Sequence, residues 1–60
     1  MPLVEVKWLE GRTKEQKKAL ATGITELFAR VAGVKPEDLF IIIEDVPRRN
    51  WAVGSRFFEE

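Results

Sequence analysis

The sequence has neither cysteine nor histidine among its 60 residues. The lack of cysteine excludes disulfides and thiolate metal sites, and the lack of histidine excludes a Ser-His-Asp triad, a Cys-His pair and imidazole metal sites. A chain of this length forms one domain at most and buries only about 60% of its unfolded surface. Small domains usually compensate with disulfides, metals or association. Because 45% of the residues are hydrophobic, we expect association to supply the missing burial.

An excess of charge of one sign is also lacking, since ten Lys and Arg residues balance ten Asp and Glu residues. A neutral chain has no general attraction to nucleic acid or to an anionic membrane surface. The longest strongly apolar run, residues 39–43, is far shorter than the ~20 residues that cross a bilayer. Glu5 and Lys7 interrupt any signal-peptide pattern. We therefore expect a cytoplasmic protein that binds neither nucleic acid nor membrane.

Two segments of the chain have the patterns of β-strands. Residues 3–9 alternate with a period of two, and Val4, Val6 and Trp8 share one face. Residues 39–43 are apolar on both faces, which is typical of a strand covered on both sides, as in a parallel sheet.

A helix is predicted between these strands, at about Lys14 to Ala32. Thr13 and Gln16 have the spacing of a capping box, and the apolar residues that follow recur at helical spacing. Gly33 is placed to end the helix in a left-handed conformation. The order β-α-β then predicts two parallel strands joined by a right-handed crossover.

One helix covers only one face of a two-stranded sheet. Ile41 and Ile43 on one face, and Phe40 and Ile42 on the other, cannot all be buried within one chain. The open face and the strand edges must meet another chain. We therefore expect a dimer as the smallest folded unit, built into a larger symmetric ring.

The remaining segments complete the predicted fold. Residues 47–50 form a polar turn, and residues 51–53 predict a short strand of a C-terminal hairpin. The expected class is α+β, with residues 1–60 as a single domain. Two β-α-β subunits pair into a four-stranded sheet, and these pairs assemble as a ring-like oligomer.

Pro2 is the most unusual candidate for chemistry. A chain that starts Met-Pro loses Met1, because its second residue is small, and Pro2 then carries a free secondary amine. An α-amino group has a pKa of about 8. Burial and nearby cations lower that pKa and give a neutral base near pH 7. The alternative is that Pro2 only starts the strand, where its missing N–H costs nothing.

Four carboxylates are further candidates, although such groups are mostly solvated surface charges: Glu5, Glu10, Glu44 and Asp45.

Several segments together resemble the 4-oxalocrotonate tautomerase family. They are Pro2 before an apolar strand, the sequence Leu9-Glu10-Gly11-Arg12-Thr13, the sequence Glu15-Gln16-Lys17, the Ile-rich second strand, and residues 45–54 with Asn50-Trp51-Ala52-Val53-Gly54. The resemblance covers essentially the whole chain. None of these motifs is specific alone, but their combination at matching spacing is.

The resemblance implies a tautomerase without a metal or an organic cofactor. Pro2 matches the base that moves a proton within an unsaturated 2-oxo or enol acid. Arg12 matches a residue that binds a substrate carboxylate, for which a guanidinium fork is suited. Leu9 matches a residue whose backbone amide holds the substrate, and Trp51 matches an aromatic wall that keeps the amine dry. The implied assembly is a homohexamer, a trimer of dimers.

One position departs from the family pattern. Phe40 falls where the family has a second substrate-binding arginine, and phenylalanine cannot bind a carboxylate. Arg48, Arg49 or Arg56 is a candidate to reach the pocket instead, and the alternative is that these arginines are solvated loop or interface charges. Without such a replacement the site favours monoacids or less charged substrates.

The spacing of Pro2 and Arg12 adds a geometric constraint. They flank one extended strand and so lie roughly 25–30 Å apart in a single chain. A site that uses both residues must therefore combine different subunits.

Two other functions stay open at this point. One is a hydratase or dehalogenase of unsaturated acids, in which Glu44 or Asp45 activates water. The other is an assembly module that keeps the fold and has lost the chemistry.

Overall fold

The structure, a computed structural model, describes residues 1–59. Strand β1 and the single α-helix α1 are followed by strand β2 and by the two short strands of a hairpin, β3 and β4. Their bounds are β1 Leu3–Leu9, α1 Lys14–Ala32, β2 Phe40–Val46, β3 Ala52–Val53 and β4 Arg56–Phe57. β1 and β2 are parallel, and β3 and β4 are antiparallel. The predicted β-α-β order and the C-terminal hairpin are therefore confirmed.

The helix has the predicted bounds because both of its ends are capped. The Thr13 hydroxyl accepts a hydrogen bond from the Gln16 N–H at 3.1 Å, and the Gln16 side chain accepts one from the Thr13 N–H at 2.9 Å. At the other end, Gly33 adopts φ 65° and donates its N–H to the Ala29 carbonyl at 3.1 Å. This capping box and left-handed stop satisfy backbone groups that helix ends leave unpaired.

The second strand is longer than predicted and is shifted along the chain. It spans Phe40–Val46 rather than 39–43, since the backbone pairing with β1 continues until Leu9 lies opposite Val46. The apolar run underestimates the strand because charged residues also take part in a β-ladder. Leu39 precedes the strand and is the one buried side chain of the hydrophobic core among residues 1–59, with 8% exposure.

The first strand of the C-terminal hairpin, in contrast, is shorter than predicted. β3 spans Ala52–Val53, and Trp51 instead closes the preceding turn by donating its N–H to the Arg48 carbonyl at 3.2 Å. That turn is a short 3₁₀ helix, Arg48–Asn50.

The two faces of the sheet differ in how much they are covered. The face that carries Val4, Val6 and Ile43 is half-buried beneath α1. The opposite face is open, and Phe40 and Ile42 are 52% and 51% exposed there. This agrees with the expectation that one helix cannot cover both faces.

The described residues form an elongated shape. Its radius of gyration is 14.5 Å, whereas a compact domain of this length has a value of about 10 Å. Its principal extents are 43 × 23 × 14 Å. A chain this elongated leaves much of its apolar surface uncovered. Within residues 1–59, no helix combines the length and the apolar character that a membrane span requires.

Candidate functional site

The predicted site residues lie at two opposite ends of the sheet. We call them the amino end, where β1 and β2 begin, and the carboxyl end, where both strands finish. At the amino end, the Pro2 carbonyl accepts a hydrogen bond from the Phe40 N–H at 3.1 Å. Pro2 is half-buried, and Phe40 lies on the open face of the sheet. The structure therefore places Phe40 directly beside Pro2 in the same chain.

Leu9 marks the carboxyl end of β1. The next residue, Glu10, donates its N–H to the Val46 carbonyl of β2 at 3.0 Å. Because successive residues of a strand direct their amides to opposite edges, the Leu9 N–H is directed to the edge of β1 that β2 does not cover. This orientation leaves the amide available to a ligand or to another strand.

Arg12 lies in the turn that joins β1 to α1. Gly11 makes this turn with φ 115°, a backbone conformation that residues other than glycine rarely adopt. The Arg12 guanidinium carbon lies 5.5 Å from the centre of the Trp8 ring, which is cation–π geometry. Within residues 1–59 no carboxylate lies within salt-bridge distance of this guanidinium.

Trp51 is held near the carboxyl end by the C-terminal hairpin. Its ring packs against that of Phe58, with centroids 6.1 Å apart, and its carbonyl accepts the Phe58 N–H at 3.0 Å. The turn before it is tied to the end of β1, because the Arg48 N–H donates to the Glu10 carboxylate at 3.1 Å. Arg49 is exposed in this same turn.

A single chain therefore separates the predicted base from most of the predicted binding residues. Pro2 and Phe40 are at the amino end, and Leu9, Arg12 and the 48–50 turn are at the carboxyl end. The seven residues of β1 span about 23 Å, so Pro2 and Arg12, which flank this strand, do not meet within one chain. The individual roles of these residues stay predictions.

Two carboxylates of β2 are engaged by lysines. Glu44, on the open face, lies 3.8 Å from the Lys7 ammonium. Asp45, on the helix-covered face, accepts hydrogen bonds from the Lys17 ammonium and from the Trp8 indole N–H, the latter at 2.6 Å. These two hydrogen bonds, first that of Lys17, lower the pKa of Asp45 below its ordinary value.

The contacts of Trp8 and Lys17 were missed by sequence reasoning. Period-two alternation predicts that Trp8 shares a face with Val4 and Val6, and the structure shows that this is the face which the helix covers. The contact of Trp8 with Asp45 could not be predicted, because the second strand was predicted to stop at residue 43. A strand extended to Val46 puts Asp45 opposite Trp8 on the same face. Residues 1–59 hold no group of three or more acidic side chains suited to a metal ion.

Comparisons with known proteins agree with this geometry. The model of a family described as tautomerase enzymes matches residues 2–60. A probable tautomerase of Bacillus cereus is 45% identical over 56 residues, which cover 93% of this chain and 92% of the relative.

Solved structures give the same result. The crystal structure of a 4-oxalocrotonate tautomerase homologue superposes with a TM-score of 0.93 and 35% identity, covering 100% of this chain and 95% of that one. A heterohexameric 4-oxalocrotonate tautomerase from Chloroflexus aurantiacus has a TM-score of 0.88 and 35% identity, covering 100% of this chain and 97% of its own. Since both sequence and fold match over nearly the full length, the chain belongs to the tautomerase family.

Proposed function

We propose that this chain is a cofactor-independent tautomerase which moves a proton within an unsaturated 2-oxo or enol acid. The nitrogen of Pro2 acts as base and then as acid, once Met1 has been removed. Membership of the tautomerase family supports the reaction class. The observation that carries the role of Pro2 is its position, half-buried at the start of β1 and beside the apolar side of an uncovered sheet.

The proposed reaction needs a single proton carrier. The neutral Pro2 amine removes a proton from a carbon or an enol oxygen of the substrate and becomes an ammonium. It then returns the same proton at another carbon of the conjugated system. Apolar surroundings disfavour the ammonium and so keep the amine a base near neutral pH. With Met1 attached, the same nitrogen is an amide and has no basic lone pair.

The proposed active site combines two subunits. In an antiparallel pair of β1 strands, the start of one strand lies beside the end of the other. Pro2 of one subunit then meets Leu9 and Arg12 of its neighbour, and the outward Leu9 N–H fits this arrangement. We propose a homohexamer built as a trimer of dimers, with the exposed Phe40 and Ile42 face covered inside it. The heterohexameric relative supports assembly of this kind.

The proposed substrate carries one carboxylate, which the Arg12 guanidinium binds through its N–H fork. Phe40 offers an apolar surface beside Pro2 in place of a second cation. Trp51 supplies an aromatic wall, and Arg49 is one of two exposed arginines in the preceding turn, beside Arg48. These residues favour an acid whose other end is apolar or uncharged, such as an arylpyruvate enol.

The structure gives the hydratase and dehalogenase alternative no particular support. That chemistry requires a carboxylate that can activate water, and the two candidates were Glu44 and Asp45. Each is already engaged by a lysine, Lys7 and Lys17 respectively.

The decisive experiment compares two preparations that differ only in Met1. One is the Met1-free protein and the other retains Met1, with both verified by intact mass. We expect only the Met1-free form to ketonise arylpyruvate enols and to isomerise unsaturated 2-oxo acids. Equal turnover by both forms would exclude the Pro2 amine as the base. Halide release from a 3-haloacrylate in the same panel would instead favour the dehalogenase, and inactivity towards every substrate would favour an assembly module.

A further inference from the structure

Four side chains form a connected cluster at the carboxyl end of the sheet. Trp8 lies opposite Asp45 in the strand register, and its indole N–H donates to that carboxylate at 2.6 Å. Lys17, from the first turns of α1, donates to the other oxygen of the same carboxylate. Arg12 lies over the face of the Trp8 ring. The cluster thus joins β1, β2, the helix and the turn between β1 and the helix.

Asp45 fixes the indole ring through one of its oxygen atoms, and its other oxygen accepts from Lys17. A charge-assisted hydrogen bond is shorter and stronger than a neutral one, so the ring has one preferred orientation. The carboxylate is itself held by Lys17, whose side chain is only partly exposed. The lowered pKa of Asp45 indicates that the carboxylate stays ionised at neutral pH and keeps these partners.

The fixed ring in turn restricts Arg12. A guanidinium that stacks on an aromatic face keeps the N–H groups at its edge free to bind a planar carboxylate. Gly11, with φ 115°, sets the backbone that brings the side chain over the ring. An arginine without such a support loses more side-chain entropy when it binds a ligand.

We propose that Trp8 is a positioning residue which presents the Arg12 guanidinium to the carboxylate of the substrate. Asp45 and Lys17 act one step further away by holding the ring. This inference rests on the proposed function, because it requires Arg12 to bind the substrate carboxylate. It makes no demand on which atom the Pro2 amine deprotonates.

The test compares an arylpyruvate enol with its methyl ester, which lacks the carboxylate charge. In Trp8→Leu we expect KM for the acid to rise about two- to fivefold, the size of an exposed cation–π contact, with little change for the ester. Trp8→Phe keeps an aromatic face without the N–H, so its effect should be smaller. It also serves as the variant that preserves packing if Trp8→Leu folds poorly.

Lys17 offers a matched control within the helix. Lys17→Ala removes the partner of Asp45, whereas Lys18→Ala removes a neighbouring lysine that is exposed. We expect Lys17→Ala to raise KM for the acid in the same direction as Trp8→Phe, and Lys18→Ala to leave both substrates unaffected. Equal effects of the two lysine variants would contradict the role of the Asp45 contact.

A double-mutant cycle separates positioning from general stability. If Trp8 acts through Arg12, Trp8→Leu should have no further effect on the acid in an Arg12→Ala background. If Trp8→Leu raises KM for the acid by the same factor in the Arg12→Ala background as in the unmodified protein, the proposal is overturned, even if Arg12 binds the substrate. If Arg12→Ala leaves the acid-to-ester ratio unchanged, the role of Arg12 fails and this proposal fails with it. The Pro2 mechanism is judged separately, by the loss of ester and acid turnover in Pro2→Ala.

A readout without substrate completes the test. A guanidinium over an indole face has its side-chain protons shifted upfield by the ring current. We expect the Arg12 Hδ and Hε signals to show this shift in the assembled enzyme and to lose it in Trp8→Leu. Random-coil positions for these protons in the unmodified protein would show that the ring does not hold Arg12.

Discussion

The two ends of the sheet differ in how much of their environment one chain supplies. At the carboxyl end, Trp8, Asp45 and Lys17 connect three elements, and Glu10 ties the next turn to the same place. At the amino end, Pro2 has one backbone contact with β2, beside the open face, and Met1 is 82% exposed. The proposed binding half of the site is therefore organised within a chain, whereas one chain leaves the proposed catalytic half largely uncovered.

The largest effect should come from removing the proposed base at the amino end. We expect Pro2→Ala to lower kcat by at least about 100-fold, the lower range for a positioned acid or base, for substrates with and without a carboxylate. Circular dichroism and sedimentation should be unchanged, since Pro2 lies outside the strands. Arg30→Ala, at an exposed position in the last turn of the helix, is the control. Retained turnover in Pro2→Ala would remove this end of the sheet from the chemistry.

The next effect should come from placing a charge on the open face. Ile42 lies opposite Glu5, so Ile42→Glu puts two like charges side by side and exposes a face that can no longer pack. We expect each subunit to lose about 1.5–3 kcal/mol of the stabilisation that burial of Ile42 provides. The protein should then sediment as a smaller species at micromolar concentration. Thr22→Glu, on the exposed surface of the helix, is the matched control. An unchanged sedimentation coefficient would show that the open face does not mediate assembly.

A smaller effect is expected at the turn that sets the carboxyl end. Gly11→Ala places a Cβ at φ 115° and should cost about 1–3 kcal/mol of the free energy of unfolding. Gly23 lies in the helix with open space around it, so Gly23→Ala should instead stabilise by about 0.5–1 kcal/mol. Denaturant unfolding of both variants measures the difference. The comparison fails if the two substitutions shift the midpoint in the same direction.

The smallest effect concerns acid titration of the same end. Asp45 has a pKa below its ordinary value of 3.8, because Lys17 and then Trp8 donate to it. The ionised Asp45 therefore contributes fully to the free energy of unfolding at pH values above its ordinary pKa. That contribution is lost as the pH falls through the lower pKa of the folded state. Trp8 fluorescence in a Trp51→Phe background should change in this acid range. Asp45→Asn should abolish that change, and its persistence would assign the transition to another group.

Most of the fold could be predicted from the sequence because its signals are local. The capping box of Thr13 and Gln16 and the glycine at position 33 determine the ends of the helix, and both are readable from neighbouring residues. The end of β2 was not readable, because Glu44 and Asp45 break the apolar run while the ladder to β1 continues. That ladder depends on residues more than thirty positions away.

The candidate site was predictable only in part. The chemistry of a free proline amine indicated Pro2, the resemblance supplied Leu9, Arg12 and Trp51, and the length of β1 gave the separation of Pro2 from Arg12. The contact of Arg12 with Trp8 depends on a ring orientation that Asp45 and Lys17 determine from two other elements. Such a contact has no signature in residue spacing, since it arises only after the sheet and helix have packed.

The scarcity of buried side chains has a thermodynamic consequence. Leu39 alone forms the buried hydrophobic core of the described chain, and in the proposed assembly contacts between copies supply much of the energy that opposes unfolding. By mass action, dilution then favours the dissociated and unfolded forms. The melting temperature of this protein should accordingly rise with its concentration, and a value measured at one concentration describes the assembly rather than the polypeptide.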